Sequence, residues 1–96
     1  MRIRIGADGM VVLEEPGDFR RFGILAAPGA PLESALAGLA RVEGQHAWVS
    51  PQALRRLAPQ AGLPDWEEGF GAMLGYAGRK GWTDPTGAVR AHIEIG

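Results

Sequence analysis

Cysteine is absent from the 96 residues, so the chain can form no disulfide, thiolate nucleophile, zinc–sulfur site or iron–sulfur cluster. Its stability must therefore come from packing. Lysine is nearly absent too: Lys80 stands alone among ten basic residues, the others being arginine. Charge of one sign is also lacking, because eleven acidic residues leave a net charge of −1. That balance removes the positive field a nucleic-acid binder usually carries, and no nucleic-acid partner is expected. No apolar run reaches the ~18–20 residues of a membrane span, so no membrane partner is expected. The opening MRIRIGADG has no apolar stretch of the signal-peptide kind, and a cytoplasmic location is the expectation.

What is present reads as one folded domain over residues 1–96. The apolar share is 46% and the charged share 22%, a globular balance with enough apolar surface for a core. Fifteen glycines and seven prolines are many for the length, but they fall between periodic segments and act as punctuation.

Arg2–Ile5 and Met10–Leu13 flank Gly6-Ala7-Asp8-Gly9, and Asp-Gly between two strand-like runs predicts a hairpin. Phe19–Leu25 reads as a third strand. Pro31 opens a predicted helix carrying Leu32, Ala35, Leu36, Leu39, Ala40 and Val42 along one face, with Gly44 as its stop. His46–Val49 is a short strand. Ser50-Pro51 supplies an N-cap and first-turn proline for a second helix that Pro59 ends. In the third helix Asp65 and Glu68 form a capping pair, and Trp66, Phe70, Met73, Leu74 and Ala77 make one apolar stripe. Thr83–Gly87 turns the chain into a final strand. The expected fold is α+β, a largely antiparallel sheet of about five strands in the order β-β-β-α-β-α-α-β, with helices on one face.

That final strand carries the first candidate chemistry. Arg90, His92 and Glu94 alternate with Val89, Ala91, Ile93 and Ile95, which places a base, an imidazole and a carboxylate in a row. His92 and Glu94 are candidate acid–base residues, with Tyr76 at the flank of the third helix as a third catalytic candidate. Arg90 suits an anionic group. His46 and Trp48 share a face in their strand and are candidate ligand-binding residues. No metal and no cofactor are expected, because two prospective ligands beside a guanidinium do not make a metal site. Gly69–Gly75 resembles a phosphate loop only superficially, since it sits inside a capped helix behind Asp65, Glu67 and Glu68.

Two further features concern surfaces. Gly71, Gly75 and Gly78 fall together on the helix, each costing ~1 kcal/mol relative to Ala, which implies close packing against the first helix, the sheet, a second subunit or a flat ligand. The pairs Arg20-Arg21 and Arg55-Arg56 read as solubility features. On these residues the primary expectation is a binding or accessory domain acting through protein–protein contact, self-association included, with the final strand pairing edge to edge between copies. The alternative is a small enzyme or ligand-binding protein using His92 and Glu94, with Arg90 holding a small anionic ligand. The discriminating feature is whether His46 and His92 lie on neighbouring strands and face the same way.

Overall fold

The computed structural model describes residues 1–96. Its strands are β1 (Arg2–Ile5), β2 (Val11–Glu14), β3 (Gly23–Ala26), β4 (Ala40–Glu43), β5 (His46–Val49) and β6 (Val89–Ile95). The helices are α1 (Leu32–Ala35), α2 (Pro51–Leu57) and α3 (Pro64–Arg79). The strands form one six-stranded sheet in the order β2-β1-β3-β6-β5-β4. The α+β class stands, but the sheet is mixed: β3 is parallel to both β1 and β6, and the other three pairings are antiparallel.

Period-two alternation divides the sheet into two faces. Ile3, Ile5, Ile24, Ala26, Ala47, Val49, Ala91 and Ile93 point to one side, where Leu36, Leu54, Trp66, Phe70 and Met73 complete a continuous core. All the helices pack there. Burying a large apolar side chain stabilises by about 1.5–3 kcal/mol, so this layer fixes the strand register. The opposite face carries Arg2, Arg4, Glu14, Arg41, Glu43, His46, Arg90, His92 and Glu94 and has no covering layer.

Three expectations are corrected. The predicted first helix stops at Ala35, and the segment that fits helical spacing beyond it is a turn over 36–39 followed by β4. Gly38, at φ +79°, breaks the helix, and Gly44, at φ +62°, turns the β4–β5 hairpin instead of ending a helix. The third strand starts at Gly23, not Phe19, so Arg20 and Arg21 precede it and both reach solvent. Finally, β6 lies inside the sheet between β3 and β5, which leaves it no edge to offer a second copy.

Helix ends follow simple rules with one exception. Ser50 caps α2, its hydroxyl accepting from Ala53 N at 3.3 Å. The third helix opens on Pro64 with no side-chain cap, so the Asp65–Glu68 pair does not cap it; Glu67 accepts from Gly62 N at 3.0 Å instead. Trp66 donates its indole N–H to Pro16 O at 2.9 Å, tying α3 to the loop before β3. Arg55 also does more than solubilise: it pairs with Glu67 at 3.0 Å and lies 5.1 Å from the Phe70 ring centre. No helix is long and apolar enough to cross a membrane.

Candidate functional site

Strand register sets which side chains meet on the uncovered face. Reading across the sheet, Glu14, Arg2, Gly23, His92, His46 and Glu43 are successive partners. Arg90 lies opposite Trp48, and Trp48 opposite Arg41. His46 and His92 are therefore direct cross-strand neighbours on one face. Ile93 N donates to Gln45 O, which makes 46–92 a non-hydrogen-bonded pair, the kind whose side chains approach most closely. Their rings meet edge to face with centres 5.4 Å apart.

Gly23 opens a notch in that row, since it places no side chain between Arg2 and His92. The sheet also parts there. β3 begins at Gly23, opposite His92, whereas β6 begins earlier, at Val89. The 19–22 segment diverges, and the freed edge of β6 is met by a short arm instead: Arg90 N donates to Trp82 O at 2.8 Å.

The result is a half-open cleft of about 580 Å³, within the range of small-ligand sites. Its polar lining holds Arg2, Arg20, Arg21 and Arg90, the imidazoles of His46 and His92, and a single carboxylate, Glu94. Its apolar lining includes Phe19, Phe22, Met73, Tyr76, Ala77 and Trp82. Two of the four guanidiniums are engaged: Arg2 donates to Glu14 at 2.8 Å, and Arg20 stands 3.7 Å from Asp18. Arg21 and Arg90 form no ion pair.

The electrostatic consequences appear on the acids beside the cleft. The Arg2 side-chain hydrogen bond, helped by Arg4, holds the Glu14 carboxyl below its usual range. Asp18 is held low chiefly by the backbone N–H of Arg20. The Met1 amine, which donates to the carbonyls of Asp18 and Arg21, is pushed down by desolvation. These bonds brace the segment that presents Arg20 and Arg21.

Of the residues singled out by sequence, His46, Tyr76, Arg90, His92 and Glu94 all line this cleft. Trp48 shares their sheet face but lies outside the lining, and its indole N–H is buried without a partner. No hydrogen bond joins His92 to Glu94 or to His46, and Tyr76 packs edge-on against Trp82 with centres 5.8 Å apart. The arrangement collects charge and hydrogen-bond donors without orienting a base toward a nucleophile. No group of three acidic or imidazole side chains is placed to hold a metal ion.

Sequence reading missed Arg2, Arg21, Phe22 and Trp82 as site residues. Arg2 and Arg21 are remote from β6 in sequence, and only the parallel pairing through β3 brings them near. Trp82 carried a signal, a large aromatic just past the helix-ending Gly81, that reads equally as core. Comparison with protein-family models, with curated proteins and with solved structures gives no match.

Proposed function

We propose that this domain binds a small anionic ligand in the cleft between β3, β6 and the end of α3. The carrying observation is the charge balance of one cavity, where the unpaired Arg21 and Arg90 stand with His46 and His92 against the lone carboxylate Glu94. A guanidinium binds carboxylate and phosphate oxygens through two parallel N–H donors, and such charge-assisted bonds are the strong ones. The face-sharing of His46 and His92 favours this reading over the protein-contact one. Binding rather than catalysis is favoured because no hydrogen bond orients either imidazole.

The test is calorimetric titration with inorganic phosphate, sulfate and acetate at low ionic strength. At least one should bind, and Arg90→Ala should weaken it about 10–100-fold, the loss of one hydrogen bond to a charged group at roughly 1.5–3 kcal/mol. Affinity should also fall as salt is added. Failure of all the anions to bind, or equal binding by the Arg90→Ala protein, would overturn the proposal.

A second reading, contact with a protein or a second copy, draws on edge strand β2. There Met10 and Val12 are 66% and 51% exposed beside an unpaired strand edge. Native mass spectrometry decides it: a dimer abolished by Val12→Lys supports it, and a monomer at micromolar concentration rejects self-association.

A further inference from the structure

The cleft lining is not uniformly polar, and its aromatic part constrains the ligand beyond its charge. Besides Arg90, His92 and the notch above Gly23, Trp82 and Tyr76 line the cavity while remaining 37% and 49% exposed. Large apolar side chains left open beside a cavity mark a contact surface more often than isolated exposed ones do. The two rings pack edge to face, and Lys80 Nζ stands 5.5 Å from the Tyr76 ring centre. The backbone of Trp82 is held firmly, its N–H donating to Ala77 O at 2.9 Å and its carbonyl accepting from Arg90 N at 2.8 Å. That second bond ties the aromatic wall directly to the residue that carries the free guanidinium.

We infer that the ligand is an aromatic oxoanion, a flat ring carrying a carboxylate or phosphate, with the acidic group toward Arg90 and the ring against Trp82. This rests on the anion-binding reading above and adds the ring. Charge complementarity selects the acidic group, as the cavity offers an excess of guanidinium over carboxylate. The aromatic wall selects the ring, because aromatic pairs gain from stacked or edge-on contact beyond the area they cover. A simple inorganic anion would leave the aromatic wall of a cavity this large in contact with water.

Matched probes separate the two claims. Phenyl phosphate is compared with methyl phosphate, and benzoate with acetate, by calorimetry and by tryptophan fluorescence. The ring-bearing member of at least one pair should bind about tenfold tighter and change the emission. Trp82→Ala should erase that difference, bringing the ring-bearing member down to the affinity of its ringless partner. Equal affinity within both pairs, or a ring preference that survives Trp82→Ala, overturns the aromatic assignment and leaves anion binding standing. Failure of all four probes overturns both. Gly23→Val supplies an independent check. A Cβ at Gly23 meets only the His92 carbonyl, at 3.6 Å, so the strand accepts the side chain while the notch is filled. The variant should fold with an unchanged circular dichroism spectrum and bind the ring-bearing probe at least tenfold more weakly; undiminished binding would place the ligand elsewhere.

Discussion

Two glycines in one turn of α3 should respond to the same substitution differently. In a helix interior Gly→Ala is worth about 1 kcal/mol in favour of Ala, a gain Gly71→Ala should realise in full because nothing lies within 4 Å of its added Cβ. At Gly69 the same methyl would stand 2.3 Å from Cε2 and 2.6 Å from Cδ2 of Phe19. The ring cannot retreat inward. It lies against Trp66 at 5.9 Å between centres, and Trp66 is stacked on the wholly buried Phe70 at 4.7 Å. Phe19 must swing outward, at an overpacking cost of about 1–3 kcal/mol. The helix-propensity gain is common to both variants, so Gly69→Ala should be the less stable by that same ~1–3 kcal/mol. In a domain of this size each kcal/mol is worth roughly 4–8 °C in Tm. Urea denaturation read by circular dichroism gives the difference directly. Two variants equal within about 0.5 kcal/mol would refute the packing described for Phe19, given the usual error of such comparisons. In a Phe19→Ala background the two should converge, since the obstructing ring is gone.

Other outcomes follow from the same packing and hydrogen bonding. Ser50→Ala removes the α2 cap and should cost about 1 kcal/mol, measured by the same denaturation, with Ser50→Gly costing only a few tenths. Asp84 accepts from the Thr86 hydroxyl, Thr86 N and Ala88 N, and these bonds, the hydroxyl's first, hold its carboxyl below the ordinary 3.8. Its stabilisation is therefore complete above pH 3.8 and is lost as pH falls through the lower folded value. Asp84→Asn should make acid unfolding less steep in that window, and an unchanged acid limb would show the turn is not coupled to folding. Phe70→Ala empties the centre of the core and should cost ~3–5 kcal/mol, seen as a large fall in the urea midpoint.

How far the sequence spoke depended on the range of the interaction. Locally enforced features were legible: the Asp8-Gly9 hairpin, the Ser50-Pro51 helix start, and the Trp66–Phe70–Met73–Ala77 stripe, all of which bury or cap as their spacing demands. The failure at Leu36–Val42 has a physical cause. Leu36, Leu39, Ala40 and Val42 satisfy helical spacing, and a short apolar run cannot be told apart by periodicity alone. The decision was made by Gly38 in a left-handed conformation and by the partner strand β5, neither visible in the spacing. The glycines misled in a similar way. Gly71, Gly75 and Gly78 cluster on a wheel yet are exposed, while the close approach occurs at Gly69. At the site, alternation placed Arg90, His92 and Glu94 on one face, and likewise His46 with Trp48. That His46 would stand directly across from His92 is a matter of strand order, which no local pattern encodes.

The interior position of β6 also dictates an order of events during synthesis. Residues 2–26 can form the β2-β1-β3 half of the sheet, and residues 40–49 the β5-β4 hairpin, as each leaves the ribosome. Neither half touches the other across the sheet until residues 89–95 have been made and inserted between them. Until then β3 and β5 each present an open, partly apolar border, the kind of surface that chaperones recognise and that seeds aggregation. Assembly of the sheet is thus a late zippering step over long sequence separations, slow by topology. The cleft, whose wall is β6 itself, comes into being in that same step, so nascent chains stalled before Val89 should be unable to hold a ligand.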